Sequence, residues 1–313
     1  MYLIRKIKIY FKKWLRYLLE IGQKLGIDIL PHHYYSEIPD FQELRKEAYW
    51  KAPSTMTGIN GISTNEQLSF LKKICNNNLT ERLKRNDIYS YACFQNNESG
   101  FGPIESDFLF CFIHTLKPKR IIQVGCGVST AVMILANKES GFRSEIICID
   151  PFPTNFLKQI AAEGKIKLIS EKAQKTDINL LTSLDSGDLL FIDSTHTVKP
   201  GSDVNKIILE VLPGLKKGVY VHFHDIYFPY DYKRDLLSDG LFFSNESVLL
   251  QAFLINNQNY KINISLSMLH YSRSEKLKEF LPNYNPQLND YGLKRNHKEG
   301  LHFPSSTYLR AVN

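Results

Sequence analysis

Five short apolar runs, separated by stretches of helical character, lie between residues 120 and 224. Runs such as EIICID, DLLFID and GVYVHF are almost continuously apolar, which is typical of parallel strands buried on both faces. Strands that alternate with helices in this way predict an α/β doubly wound sheet. The predicted strands are 120–125, 145–150, 165–170, 188–193 and 218–224. The predicted helices between them are 129–138, 155–163, 177–185 and 203–212.

The last part of the chain does not continue this alternation. After a helix at 247–256, residues 260–270 and 306–312 have strand character, and we predict no crossover helix between them. An antiparallel pair at one edge of the sheet accommodates both segments. The predicted fold class is therefore a Rossmann-like, doubly wound, mostly parallel sheet with an antiparallel C-terminal strand pair.

Residues 1–103 are predicted to form a helical and loop extension, and residues 104–313 a ligand-binding domain. Apolar side chains at spacings of three and four predict an amphipathic helix over residues 4–25, with basic residues off the apolar stripe. Three partners remain open for that stripe: the domain, a second subunit of a homo-oligomer, or an anionic membrane surface. The other predictions are helices at 66–76, 79–86 and 103–116 and loops at 31–65 and 95–102.

Charge, apolar content and cysteine usage narrow the class of protein. The formal net charge of +7 is concentrated in the first 24 residues, so we predict no nucleic-acid surface elsewhere. No apolar run reaches the length of a membrane-spanning helix, which needs about 18 residues or more. The five cysteines include no C-x-x-C pair, and they are expected to be reduced thiols of a cytoplasmic protein.

The segment RIIQVGCGVST joins the first predicted strand to a helix. Gly125 permits a tight turn, and Gly127 allows a ligand to approach the main chain at the N-terminus of the helix. Asp150, at the end of the second strand, is placed to bind the hydroxyls of an adenosine ribose. Thr130 stands where a dinucleotide fingerprint has its third glycine. The pattern therefore favours an adenosine ligand without a diphosphate over NAD or FAD.

Two further strand ends carry charged side chains. Asp193 and His196 follow the fourth strand, and His224 and Asp225 end the fifth. The carboxyl ends of parallel strands share one edge of a sheet, so these four side chains are expected to lie close together. Either histidine suits proton abstraction from a hydroxyl. The group can also hold a divalent cation: oxygen ligands favour Mg²⁺, and more imidazole favours Zn²⁺ or Fe²⁺.

From about residue 104 onward, the chain resembles the class I S-adenosylmethionine-dependent methyltransferases. The resemblance rests on IIQVGCGVST, ICIDPFP, DLLFIDSTH and GVYVHFHDI, in this order. The segment HTVKPGSDVNKIILEVLPGLKKGVYVHFHDIYFPYDY looks like a bacterial branch associated with surface-polysaccharide and glycan genes. That branch is similar to macrolide-sugar O-methyltransferases and cephalosporin-hydroxylase-like proteins.

The resemblance implies S-adenosyl-L-methionine as the cofactor. By their positions in these motifs, nine residues would bind it: Glu105, Gly125, Cys126, Gly127, Asp150, Pro151, Ala173, Gln174 and Asp193. The resemblance also implies Mg²⁺ on Asp193, His224 and Asp225, and it makes His196 and His224 the candidate catalytic residues, with His196 as the base. The sequence departs from the pattern at His224, where relatives carry an acid.

The expected function is O-methylation of a sugar or glycan hydroxyl, or of a related small metabolite. Two alternatives stay open: a metal-dependent hydroxylase-like relative on the same fold, and a catalytically silent adenosine-binding partner in a glycan assembly complex. Aromatic residues within 226–232 are expected either to pack in the core or to cover the acceptor. Methylation of nucleic acid is not expected, because the chain has no N-P-P-Y-type tetrapeptide. The expected location is cytoplasmic, with the inner membrane face as the alternative for residues 1–25.

Overall fold

The computed structural model describes residues 2–232, 236–237, 242–286 and 301–313, with the backbone alone at residues 2–9. The chain forms two compact units, Met1–Ala48 and Tyr49–Asn313. Residues 49–103 therefore share a compact unit with the sheet. The boundary predicted at residue 103 stays a prediction about where the ligand-binding domain begins.

The first unit contains two helices, α1 (Tyr2–Lys24) and α2 (Phe41–Lys46). Helix α1 confirms the helix predicted from the apolar spacing, and Gly26 follows it with a left-handed φ of 76°. Helix α2 lies within the predicted loop at 31–65, and the Asp40 side chain caps it by accepting hydrogen bonds from the backbone N–H groups of Gln42 and Glu43. Among the helices of the described residues, none combines the length and apolarity needed to cross a bilayer.

Four helices precede the sheet in the second unit: α3 (Thr64–Ile74), α4 (Asn77–Leu83), α5 (Ile88–Asn96) and α6 (Pro103–Leu116). Three of them confirm predicted helices. Helix α5 was not predicted, because its buried face consists only of Ile88, Ala92 and Asn96, one of which is polar. It ends at Asn97, which has a left-handed φ of 58°, so most of the predicted loop at 95–102 does lie outside a helix.

A seven-stranded sheet forms the centre of this unit. Its strands are β1 (Arg120–Val124), β2 (Glu145–Ile149), β3 (Lys167–Ile169), β4 (Leu189–Ile192), β5 (Tyr220–Phe223), β6 (Tyr260–Ser265) and β7 (Thr307–Ala311). Their order across the sheet is β3-β2-β1-β4-β5-β7-β6. Strands β1 to β5 are parallel, and β7 runs antiparallel to both β5 and β6. The predicted fold class is confirmed, including its antiparallel C-terminal pair.

The remaining helices are α7 (Val128–Ser140), α8 (Asn155–Ala162), α9 (Ile178–Leu181), α10 (Asp203–Lys206), α11 (Glu246–Leu254) and α12 (Leu266–Phe280). Four predictions need correction. The helix predicted at 177–185 is α-helical only over α9. Helix α12 lies between β6 and β7, where no helix long enough for a crossover was predicted, although the pair is antiparallel as expected. The helix predicted at 203–212 is α-helical only over α10 and continues as a π-helical turn, Ile207–Val211. The strand predicted at 260–270 ends at Ser265, whose N–H donates to the Gln67 side chain, and α12 begins there. Apolar residues at 262, 264, 266 and 268 suit the alternation of a strand, which is why the sequence was misleading.

Both faces of the sheet are buried, as the continuous apolar runs predicted. On one face, Ile121, Cys148 and Phe191 belong to an apolar cluster that includes side chains of α6 and α7. On the other, Ile122 and Ile192 belong to a second cluster that includes side chains of the segment 204–212. The strand order reverses between β1 and β4, the position where open α/β sheets bind ligands.

Candidate active site

The loop between β1 and α7 lies at this reversal. Gly125 has a φ of 73°, and a Cβ there would collide with the backbone carbonyl of Asp193 at the end of β4. Gly127 has a φ of 154°, and a Cβ there would lie 3.0 Å from Nδ2 of Asn96 on α5. The backbone after β4 and the Asn96 side chain therefore already require glycine at these two positions. The approach of a ligand to Gly127 stays a prediction.

The side chains of Gln123 and Thr130 form hydrogen bonds with the backbone of this loop. The Gln123 side chain, fully buried on β1, donates from Nε2 to the Gly125 carbonyl at 3.0 Å and to Oγ of Ser129 at 2.7 Å. Its Oε1 accepts from Oγ1 of Thr130 at 2.9 Å. Thr130 in turn accepts from the N–H of Gly127 at 3.2 Å. Thr130 was noted in the sequence only as a missing glycine, and Gln123 was not predicted, although an amide inside a buried strand is a visible signal.

Asp150 connects this loop to the end of β2. Its Oδ2 accepts from the N–H of Cys126 at 3.0 Å, and its Oδ1 accepts from the N–H of Phe152 at 2.7 Å. Each carboxylate oxygen has a second lone pair, so Asp150 retains the capacity to accept from a ligand hydroxyl.

A cavity of about 340 Å³ opens at the carboxyl ends of β1, β2 and β4. Of the nine residues that the resemblance assigned to the cofactor, Gly125, Pro151, Ala173, Gln174 and Asp193 line it. Its described lining includes none of the other four, Glu105, Cys126, Gly127 and Asp150. The structure thus brings the predicted residues of four different segments to one crevice.

Glu105 belongs to a different part of the site. It is buried on α6, and its Oε1 accepts from the N–H of Ser305 at 2.9 Å. Burial raises the pKa of this carboxyl above its ordinary value. The Ser305 hydroxyl donates to Oδ1 of Asp225 at 2.8 Å. Glu105 is therefore linked through Ser305 to the side chains after β5.

The four charged side chains predicted at the strand ends do converge. Nε2 of His196 lies 3.3 Å from Oδ1 of Asp193 and 3.9 Å from Oδ2 of Asp225. Nδ1 of His224 lies 3.5 Å from the same Asp193 oxygen and 3.8 Å from Oδ1 of Asp225. We call Asp193, His196, His224 and Asp225 the rim cluster. Since Asp193 also lines the cavity, the rim cluster borders the crevice.

Glu246, the first residue of α11, was not predicted, and its side chain contacts His196 of the rim cluster. Its side chain is fully buried, and its Oε2 lies 2.8 Å from Nδ1 of His196. Its Oε1 accepts from the Ser194 hydroxyl at 2.9 Å. The carboxylate therefore accepts a hydrogen bond from Nδ1–H of His196, and Nε2 of the ring faces Asp193.

The backbone of the rim cluster adopts a conformation that is rare outside glycine. His196 and Asp225 have φ values of 54° and 53°. The carbonyl of His196 accepts from the N–H groups of Asn245, at 3.0 Å, and Glu246, at 3.3 Å. Left-handed residues of this kind cost about 1–3 kcal/mol and concentrate at functional sites. The start of α11 thus fixes both the main chain and the ring of His196.

Opposite charges face one another in the rim cluster. Burial would raise the pKa of Asp193, but the imidazoles of His224 and His196 outweigh burial and lower it. Burial would lower the pKa of His224, but Asp225 and Asp193 raise it to about 9. For His196, the effect of burial is outweighed by the hydrogen bonds to Asp193 and Glu246, which raise the pKa of the imidazole well above its ordinary value. With only protein groups around them, both imidazoles therefore favour the charged form at neutral pH.

The aromatic residues expected near an acceptor mostly serve the core. Tyr227, Phe228 and Tyr230 are buried, which confirms the packing alternative for them. Tyr232 is partly exposed. Phe242, which the sequence analysis did not select, is 44% exposed, and its ring centre lies 6.4 Å from that of His196. Phe242 therefore presents an exposed ring beside the rim cluster.

Comparison with known proteins finds a family match over the centre of the chain. Residues 122–226, about a third of the chain, match the family model of a methyltransferase domain. They begin in β1 and end just after β5, so they contain the β1–α7 loop, Asp150 and the rim cluster. An uncharacterized protein of Archaeoglobus fulgidus is 26% identical over 172 residues, which cover 53% of this chain and 77% of that protein.

Two solved methyltransferase structures are similar to most of the chain at low sequence identity. A methyltransferase of Podospora anserina bound to S-adenosylhomocysteine is 13% identical, with a TM-score of 0.42, over 76% of this chain and 97% of that one. The plantazolicin methyltransferase BpumL, also bound to S-adenosylhomocysteine, is 13% identical, with a TM-score of 0.36, over 80% of this chain and 98% of that one. At these TM-scores the similarity says nothing about substrate or mechanism.

Proposed function

We propose that this protein is an S-adenosylmethionine-dependent methyltransferase that methylates a hydroxyl of a sugar, a glycan or a related small metabolite. The observation that carries the proposal is the crevice at the sheet reversal. The β1–α7 loop, Asp150 and the cavity meet there, within the segment that matches a methyltransferase domain.

The crevice, together with Asp150 beside its lining residues Ile149 and Pro151, offers a separate contact for each part of such a cofactor. The free lone pairs of Asp150 suit the two ribose hydroxyls. The Gly125 end of the cavity suits the methionine part, and the Ala173–Gln174 segment lies where adenine would be covered. A nicotinamide dinucleotide fits less well, because Thr130 occupies the place of the third glycine and is already bonded to Gln123.

The reaction needs no protein nucleophile, because the cofactor supplies the electrophilic methyl group. The acceptor oxygen attacks the methyl carbon, the carbon–sulfur bond breaks, and its electron pair stays on sulfur as S-adenosylhomocysteine leaves. The hydroxyl proton must pass to a base. The main contribution of the protein is to align oxygen, carbon and sulfur.

The acceptor is proposed to bind at the rim cluster, which borders the crevice. Phe242 presents a partly exposed ring beside His196, and sugar rings stack on aromatic faces. Nε2 of His196 faces Asp193 and Asp225 rather than Glu246, so in the neutral ring it is the nitrogen that would accept the proton. Because Asp193 and Glu246 raise the pKa of this imidazole, the ring must lose its own proton before it can act as the base. The same nitrogen is also suited to hold a cation. The two roles exclude each other, and metal binding decides between them.

Mg²⁺ was expected on Asp193, His224 and Asp225, and the donor set fits it poorly. Mg²⁺ binds oxygen and demands near-octahedral geometry. Of the three groups that lie close enough together for one ion, Asp193, His196 and His224, two donate through nitrogen. We therefore assign no step of the reaction to Mg²⁺.

Calorimetric titration of the purified chain tests the cofactor. S-adenosylmethionine should bind at micromolar concentration and NAD⁺ should not, each measured with and without Mg²⁺. Asp150→Asn should weaken binding at least tenfold. Asp185→Asn, which alters an exposed carboxylate paired with Lys216, should not weaken it. Failure of the wild-type protein to bind S-adenosylmethionine would refute the proposed reaction.

A metal-dependent hydroxylase-like activity is the second candidate. The observation in its favour is the set of two imidazoles and one carboxylate in the rim cluster, a ligand combination typical of non-haem iron enzymes. Product analysis separates the two activities: methyl transfer produces S-adenosylhomocysteine, and hydroxylation does not. A silent adenosine-binding partner would bind the cofactor and form neither product.

A further inference from the structure

We infer that Asp193, His196 and His224 bind a first-row transition-metal ion such as Zn²⁺, Co²⁺ or Fe²⁺, and that Glu246 orients His196 for this purpose. The inference rests on the geometry of the rim cluster and does not depend on the proposed methyl transfer. It replaces Mg²⁺ by a softer ion, and it places His196 in the ligand set.

The two separations between Asp193 and the histidine nitrogens match a single coordination sphere. Bonds of about 2.1 Å place neighbouring ligand atoms about 3.0 Å apart in an octahedral site and about 3.4 Å apart in a tetrahedral one. Oδ1 of Asp193 lies 3.3 Å from Nε2 of His196 and 3.5 Å from Nδ1 of His224. All three donor atoms lie within 4.8 Å of one another. Small movements of the side chains would bring all three donor atoms within bonding distance of one ion.

The type of donor indicates the class of ion. Two imidazole nitrogens and one carboxylate oxygen suit zinc, cobalt and iron, whereas magnesium and calcium prefer oxygen alone. Asp225, which is held by the Ser305 hydroxyl, lies 3.8 Å from His224 and 3.9 Å from His196. Its carboxylate adds negative charge beside the three donors, which favours a cation there.

Glu246 provides the independent observation. A metal-binding histidine usually donates its other N–H to a carboxylate or a carbonyl, which fixes the tautomer and orients the ring. Glu246 makes this contact with Nδ1 of His196 at 2.8 Å, and its side chain is fully buried. Its second oxygen is used by the Ser194 hydroxyl, next to Asp193 in the chain. Glu246 therefore supports the two ligands that follow β4.

An ion bound to His196 would prevent this ring from accepting the proton. Nε2 of His196 has one lone pair, and that lone pair cannot bind an ion and accept a proton at the same time. While the ion is bound, His196 is a ligand and the predicted base role passes to another group. The ring would retain its contact with Glu246 in either state.

Binding of Co²⁺ to the chelator-treated full-length chain tests the inference. Equilibrium dialysis with elemental analysis should find one Co²⁺ per chain, and visible absorption should report a site with nitrogen and oxygen donors. A large excess of Mg²⁺ should not displace the Co²⁺, whereas Zn²⁺ should. Displacement by Mg²⁺ at similar concentrations, or the lack of any bound Co²⁺, would overturn the inference.

Substitutions locate the ion. His196→Ala and His224→Ala should each abolish the absorption bands. Glu246→Gln, which leaves all three ligands in place, should weaken Co²⁺ binding about 10- to 100-fold. The matched control removes His32 and His33, two exposed histidines of the first unit, and should leave binding unchanged. Full binding in both ligand variants would place the ion elsewhere and refute the assignment.

Circular dichroism and S-adenosylmethionine titration of the same variants separate loss of the site from loss of the fold. If His224→Ala does not fold, Glu246→Gln and the Mg²⁺ competition still decide the question. The two proposals also fail separately. Co²⁺ binding without S-adenosylmethionine binding refutes the proposed function and leaves the metal site standing, and the opposite result refutes only the metal site.

Discussion

Asp107 makes the stability of this protein depend on pH in a direction that can be calculated. It lies on the buried face of α6, and its Oδ2 accepts from Nδ2 of Asn283 at 2.9 Å. Burial, the largest influence, raises the pKa of this carboxyl from 3.8 to about 7. The folded protein therefore binds a proton that the unfolded chain releases between about pH 4 and pH 7. Stability from this group is fully present below pH 4 and is lost as the pH rises through 7.

The size of the effect follows from the shift. At about 1.4 kcal/mol per pKa unit, the difference in proton binding between the folded and unfolded states lowers the free energy of unfolding by about 1.5 kcal/mol at pH 5 and by about 4 kcal/mol at pH 8. Asp107→Asn keeps the shape and the hydrogen-bonding capacity but cannot ionise. Relative to wild type, the variant should therefore gain about 2.5 kcal/mol in free energy of unfolding between pH 5 and pH 8.

Urea denaturation at pH 5, 6, 7 and 8, with linear extrapolation to water, measures this difference. Asp185→Asn is the control, because Lys216 lowers the pKa of that exposed carboxyl and neither state titrates it above pH 5. The control should follow the wild-type pH dependence over the whole range. Equal pH slopes for Asp107→Asn and wild type would refute the reasoning.

Three further perturbations test other parts of the molecule. Gly125→Ala should lower the free energy of unfolding by about 2 kcal/mol or more. Gly141, the control, has a similar φ of 64° and open space around it, so Gly141→Ala should lower the free energy of unfolding by only about 1 kcal/mol. Equal losses would refute the collision between a Cβ at Gly125 and the Asp193 carbonyl. Phe242→Ala should raise KM for a sugar acceptor several-fold without changing cofactor affinity, and unchanged KM would remove Phe242 from the acceptor site. Vesicles rich in anionic lipid should bind the wild-type chain, and replacing exposed Phe11 and Trp14 by serine should abolish that binding; binding that survives would exclude the apolar stripe of α1 as the contact.

The sequence was sufficient to locate an element wherever its pattern of apolar residues was compatible with only one structure. The five parallel strands were located because each is a continuous apolar run that only a doubly covered sheet can bury. The strand predicted over 260–270 was wrong beyond Ser265, because its apolar pattern did not determine a single structure. Its alternating apolar residues fit a strand throughout, yet the strand ends at Ser265, whose N–H donates to Gln67, far away in the sequence, and the chain continues as α12. A pattern confined to the segment carries no information about that contact.

The same limit applies to the candidate site. Asp193, His196, His224 and Asp225 were predicted as a group because each follows a strand, and parallel strands end at a common edge. Glu246 follows no such strand; it opens α11, 50 residues beyond His196, and only the folded chain brings the two together at 2.8 Å. Yet Glu246 determines which nitrogen of His196 faces the crevice, and hence whether the ring can bind a metal or accept a proton. The residues proposed to provide the chemistry were visible in the sequence, whereas Glu246, which contacts His196, could be identified only from the tertiary fold.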